Sequence, residues 1–140
     1  LHLLSRRQRQ MCIRDSARFV RPGMLSPADA DALENSADVL VSLGNAYDNQ
    51  MPSKLFGYFA TGKPVLHLAV SESDPTLPYL ARYPLALVLH AGEGVTPGVV
   101  AKLDKWLHDV KGKHLPFAEV AKLYPEFTPE KVAEAFLRGM

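Results

Sequence analysis

Apolar residues fall in short clusters along the chain, divided by proline, glycine and polar breaks, and the spacing inside each cluster predicts an element. Val39-Leu-Val-Ser-Leu43, Val65-Leu-His-Leu-Ala-Val70 and Leu85-Ala-Leu-Val-Leu89 are compact apolar runs suited to buried strands. Ala17-Arg-Phe-Val20 is a shorter strand candidate, broken by Pro22-Gly23. Ser26-Pro27-Ala28-Asp29 starts a helix expected to run to about Ser36, with a serine cap, proline at the first helical position and an acid three after the cap. Pro52-Ser53 opens another helix, with Leu55, Phe56, Phe59 and Ala60 on its apolar face; Gly62 stops it and Pro64 prevents continuation. A short helix is expected around Tyr79–Tyr83, and Val99, Leu103, Trp106 and Val110 mark a long amphipathic one. Another falls near Phe117–Leu123, and Thr128-Pro129-Glu130 caps a last helix expected to bury Val132, Phe136 and Leu137. Strands separated by helices imply an α/β fold with right-handed crossovers and a parallel sheet covered on both faces. There is no internal repeat, low-complexity tract or linker, so one α/β unit is expected.

Composition agrees with a globular domain: 140 residues, 47% hydrophobic and 22% charged. No apolar run approaches the roughly 20 residues that span a bilayer. The opening Leu-His-Leu-Leu is too short for the apolar core of a secretory signal, which needs about 7–15 residues. Arg6 to Ser16 is different in kind, because it holds four arginines and the only cysteine, Cys12. At face value it is a basic arm for phosphate, or an ordinary loose terminus. Back-translated, Arg6 to Asp15 becomes CGT CGG CAG CGT CAG ATG TGT ATA AGA GAC. That string resembles, without a break, a read-1 adapter of transposase-based DNA library preparation, and the flanking codons fit as well. Residues 1–16 are therefore read as translated adapter and left out of fold reasoning, with 17–140 as the natural segment.

That reading changes the charge. Setting aside Arg6, Arg7, Arg9 and Arg14 takes 16 basic residues to 12, and setting aside Asp15 takes 15 acidic residues to 14. The formal net charge becomes −2 in place of +1. Nothing is left that would track a nucleic-acid backbone, so no nucleic-acid partner is expected. Without Cys12 there is no disulfide, thiol nucleophile or cysteine metal site, which is compatible with the cytoplasm.

In such sheets ligands bind beyond the carboxyl ends of the strands. Gly44-Asn-Ala-Tyr-Asp-Asn-Gln-Met-Pro-Ser-Lys54 runs from one such end into a helix, where free amides and the helix dipole favour a phosphate-like anion. The amides of Met51, Ser53 and Lys54 are the candidates, since Pro52 has none to give, and Lys54 adds a positive charge. The bland alternative is a junction that binds nothing. Glu72 and Asp74 lie in a proline loop and read as solvated turn residues. His67 and His90 sit on strands near carboxyl ends and read as packed or surface histidines, with a pocket wall as the alternative. Trp106 reads as core, and no metal cluster is expected.

Ala37-Asp-Val-Leu-Val-Ser-Leu-Gly-Asn45, followed by Asn49-Gln-Met-Pro-Ser-Lys-Leu-Phe-Gly-Tyr-Phe-Ala-Thr-Gly-Lys-Pro-Val65, resembles the nucleotide-sugar domain of GT-B glycosyltransferases. The nearest likeness is the retaining family 4, in the bacterial surface-polysaccharide branch whose wording is PSKLFEYxATGKP. Tyr124-Pro-Glu-Phe-Thr-Pro-Glu-Lys-Val-Ala133 also resembles that group's terminal helix. The resemblance implies a partial Rossmann-like, doubly wound parallel sheet and a nucleotide-diphosphate sugar as donor. It implies a polysaccharide or lipid-linked acceptor, with no cofactor or metal.

It further implies an enzyme that is cytoplasmic or held at the cytoplasmic face of the inner membrane. The diphosphate would meet the amides at Met51, Ser53 and Lys54, beside Gln50, with Asn49 where the family often has a sugar-contacting glutamate. Gly57 takes the ribose position, where the branch normally keeps glutamate, and this departure bears on tight donor binding. An amino-terminal acceptor domain and the first strands of this domain would precede Ala17, so no catalytic residue is assigned. The run Val39–Leu43 would be fourth in the strand order 3-2-1-4-5-6, its first-strand neighbour missing, and would show water an open apolar edge. A UDP-sugar 2-epimerase shares the architecture, and a non-catalytic donor-binding module would suit Gly57; both stand as alternatives.

Overall fold

The computed structural model describes residues 20, 22–45, 47 and 49–138. Residues 1–16, the Ala17–Val20 strand candidate apart from Val20 itself, and Ala46 and Asp48 of the loop fall outside them. The chain divides into two compact units, Leu1–Leu33 and Glu34–Met140, and the second holds every strand among the described residues.

Helix α1, Pro27–Ser36, begins where its cap signal stands. The Ser26 hydroxyl donates to the Asp29 carboxylate at 2.6 Å and accepts from the Asp29 amide at 3.2 Å, closing a reciprocal cap. In the second unit the last turn of α1 is finished by Lys63. Its ammonium donates to the carbonyls of Glu34, Asn35 and Ala37 at 2.5–2.9 Å, a cation on the negative end of a helix.

Three parallel strands follow in sequential order: β1, Leu40–Leu43; β2, Val65–Ala69; β3, Ala86–His90. The register sets Leu40 beside Val65 and Ala86, and Ser42 beside His67 and Val88, on one face. Helix α2, Lys54–Ala60, lays Leu55 and Phe59 on the core, both almost fully buried. Phe59 stacks between Tyr83 and Tyr124, with ring centroids 4.6 and 5.0 Å away. Tyr83 donates its hydroxyl to the Lys63 carbonyl at 2.9 Å, and burial pushes its pKa up to about 12. Gly62 ends α2 with φ +73°, and a Cβ there would collide with the Leu115 carbonyl, so glycine alone fits.

The helix expected around Tyr79–Tyr83 is instead α3, Leu77–Leu80. Thr76 stands at its cap and Pro78 in its first turn, and these set the start, not the tyrosines. Helix α4, Pro97–Val110, is capped by the Thr96 hydroxyl, which accepts from the Val99 amide at 3.3 Å. Trp106 on α4 packs against the core, as expected, with its ring N–H buried and unpartnered. Helix α5, Phe117–Leu123, falls where the pattern set it, and α6 runs Pro129–Arg138.

Two packing expectations are overturned. The last helix does not bury its apolar stripe: Val132, Phe136 and Leu137 are 53%, 71% and 71% exposed, because nothing described packs on that face. Nor is the sheet covered on both faces at β1. Among the described residues that strand lies at the sheet's edge, as expected for Val39–Leu43, but Val41 and Leu43 are 50% and 66% exposed. No helix among the described residues is long and apolar enough to cross a membrane.

Candidate functional site

The carboxyl ends of three parallel strands meet at Leu43, Ala69 and His90, and the segments leaving them build the candidate site. The ladder continues one residue past β1, where the Gly44 amide donates to the Leu68 carbonyl at 2.9 Å. From Gly44 the chain enters the loop, which is tied back on itself by the Asn45 side-chain amide donating to the Gln50 carbonyl at 3.2 Å.

The residues expected to hold a donor are contiguous and open to solvent. Asn49, Gln50, Met51, Ser53 and Lys54 are all exposed. The amides of Met51, Ser53 and Lys54 make no backbone hydrogen bond among the described residues, which leaves them available to an acceptor. Ser53 adopts helical dihedrals and makes no side-chain cap, so its hydroxyl does not compete for those amides. The Lys54 ammonium lies 3.4 Å from the Glu34 carboxylate and 5.9 Å from the centre of the Tyr58 ring. The lysine is 70% exposed, so this ion pair holds it weakly. Gly57, one turn into α2, faces open space: a Cβ there meets nothing within 4 Å.

Behind the loop stands a polar cluster that the sequence did not disclose. Asp74, expected as a solvated turn residue, is 3% exposed. Its Oδ1 accepts from the Thr76 amide at 2.9 Å and the Thr76 hydroxyl at 2.6 Å, and its Oδ2 accepts from His67 Nε2 at 3.0 Å. Burial alone would push this carboxyl up. The Thr76 hydroxyl and amide and the His67 ring together outweigh burial and hold the carboxyl below its ordinary value. His67 is fully buried in mid-strand and its Nδ1 has no partner among the described residues. Glu72 does behave as a solvated turn residue; it pairs at 3.2 Å with Nδ1 of His90, a part-exposed histidine. The available signal was a histidine on the inward face of an apolar strand, which calls for a buried acceptor, and the following turn offers two acids, Glu72 and Asp74.

A groove of about 130 Å³ opens elsewhere, lined by Phe56, Phe59, Phe117, Val120 and Phe127 among others. Of its lining groups, the Tyr124 phenol is committed to the Tyr79 carbonyl at 2.7 Å and the Thr128 hydroxyl to the Pro125 carbonyl at 3.0 Å, so the groove lacks the converging polar groups that orient a small ligand. Among the described residues no three histidine, cysteine or acidic side chains come together to hold a metal. No protein-family model, curated protein or solved structure matches the chain.

Proposed function

We propose that residues 17–140 are the nucleotide-sugar-binding part of a retaining glycosyltransferase with a GT-B, partly Rossmann-like architecture. The parent enzyme would transfer a sugar from a nucleotide-diphosphate sugar to a polysaccharide or lipid-linked acceptor, with the acceptor held by a further domain. The observation that carries this reading is the stretch Asn49-Gln-Met-Pro-Ser-Lys54. It has the donor-site wording of that family and forms an exposed loop with unengaged amides between a parallel strand and a helix. Consecutive strand order β1-β2-β3 is compatible with positions four to six of a doubly wound sheet.

In this reading the diphosphate accepts hydrogen bonds from the amides of Met51, Ser53 and Lys54, and the Lys54 ammonium exchanges Glu34 for a phosphate oxygen. Charge growing on the leaving diphosphate is met by donors already in place. Asn49 and Gln50 offer amides to sugar hydroxyls. Gly57 gives the ribose nothing, and that lost carboxylate favours the second reading, a donor-binding module without transfer.

Titration of the ¹⁵N-labelled chain with uridine and guanosine diphosphates tests the site. The expected result is saturable shifts at Met51, Ser53 and Lys54. Lys54→Ala should weaken binding about fivefold, the loss of roughly 1 kcal/mol from one charge-assisted contact. Shifts confined to other segments, or none with either nucleotide, would overturn the assignment.

A further inference from the structure

We infer that Asp74, braced by His67 and Thr76, is the positioning residue for the loop that begins at Gly44; its meaning for a ligand rests on the donor reading above. Three donors converge on one buried carboxylate, so the group stays charged inside the fold. An anionic carboxylate has no proton to give, so the His67–Asp74 contact requires the proton on Nε2 of the ring. The price is Nδ1, which is left buried without a partner. Apolar side chains of similar volume would fill this space without an orphaned nitrogen, so packing alone does not account for the cluster.

The use of the cluster lies at Gly44. A Cβ on that residue would collide with Oδ2 of Asp74, and would stand 3.1 Å from the Leu68 carbonyl oxygen and 3.2 Å from Ala69 Cα. Gly44 is thus seated in a slot with β2 on one side and the Asp74 carboxylate as its floor. Its amide is tied to Leu68, and the next residue ties the far side of the loop at Gln50. The same Oδ2 that receives His67 Nε2 forms that floor. His67 therefore fixes the rotation of the carboxylate, and the carboxylate fixes where the loop starts toward Asn49, Met51 and Lys54.

Nitrogen-15 histidine spectra of the whole chain should show His67 protonated at Nε2 and bare at Nδ1. Asp74→Asn presents an amide with one acceptor where the network uses two. It should therefore shift the His67 ring signals and the Gly44, Asn45 and Gln50 amides together. If the loop then holds its binding arrangement about a tenth of the time, affinity for uridine diphosphate falls about tenfold. Gly44→Ala should shift the same amides. In an Asp74→Ala background its added effect should shrink, because the contact it violates is gone. Should Asp74→Asn fail to fold, Thr76→Val removes one donor at nearly constant shape and should move the same amides less.

Val120→Ala serves as a control that destabilises the core without touching the loop. It should leave the His67 ring and those three amides in place, which separates positioning from general stability. Unmoved Gly44, Asn45 and Gln50 amides in Asp74→Asn, or strict additivity of Gly44→Ala with Asp74→Ala, would overturn the inference. If the unaltered chain takes up no uridine diphosphate, the donor reading fails by itself, and the ring signals, amide shifts and coupling still decide the role of Asp74.

Discussion

A glutamate at position 57 would stand on the outer side of α2 with nothing within 4 Å of its Cβ. Gly57→Glu should therefore fold without strain and stabilise the chain by about 0.5–1 kcal/mol, because glycine is a poor interior residue for a helix. Denaturant midpoints will read that gain. If position 57 faces a donor ribose, the new carboxylate should also tighten nucleotide-sugar binding about tenfold, or about 1.4 kcal/mol. Unchanged or weaker affinity by calorimetry would remove position 57 from the donor site. Asp74 makes the opposite kind of claim. Its carboxyl is held below the ordinary 3.8, so it binds its proton less readily folded than unfolded. Its contribution to stability is complete above that ordinary value and is lost as the pH falls through the lower folded one. Stability measured from about pH 5 to pH 2 should fall more steeply in the parent chain than in Asp74→Asn. Parallel curves would show that the buried carboxylate is not the acid-sensitive group. Sequence alone could not separate Glu72 from Asp74, two acids in one short polar turn. What separates them is His67, seven residues before Asp74 on a strand, and burial of that kind is fixed only when the turn folds back over the sheet.

Elements with their own local signals were the legible ones. The cap at Ser26 and the glycine stop at Gly62 use interactions within four residues, so α1 and the end of α2 fall where the sequence puts them. The short α3 starts earlier than the expected Tyr79–Tyr83, because Thr76 and Pro78 set its start. The Gly44–Lys54 loop was legible as a junction, but the close approach of the Asp74 carboxylate to Gly44 was not, since it spans 30 residues. Helix α6 shows a further limit. Its periodicity is strong, yet periodicity states only which face is apolar, not that anything covers it. Phe136→Ser should accordingly change stability by no more than about 0.5 kcal/mol, as for other exposed positions. Phe59→Ala, which empties the stack between Tyr83 and Tyr124, should cost about 3–5 kcal/mol. Thermal unfolding of both variants checks the contrast, and a large loss at Phe136 would mean that its face is covered in solution.

At the scale of the whole molecule, the decisive feature is the side of β1 that no described strand pairs. Leu40 and Gly44 donate their amides toward the β2 side, to Pro64 and Leu68, both at 2.9 Å. The alternation of a parallel ladder then turns the N–H and C=O groups of Val41 and Leu43 outward. Those are the two residues with exposed side chains, so among the described residues the edge offers unpaired backbone and apolar surface together. Soluble proteins blunt such edges with charge or proline, and Leu40–Leu43 contains neither. A strand of this composition suits the middle of a sheet, where both its edges are paired and both faces covered. The chain should therefore self-associate at micromolar concentration, and light scattering across a dilution series will read it. Leu43→Lys sets a charge on the open edge and should shift association to higher concentration, while Phe136→Ser should not. A monomer throughout the series, with slow hydrogen exchange at Val41 and Leu43, would mean that the edge is already paired, and β1 would then be an interior strand.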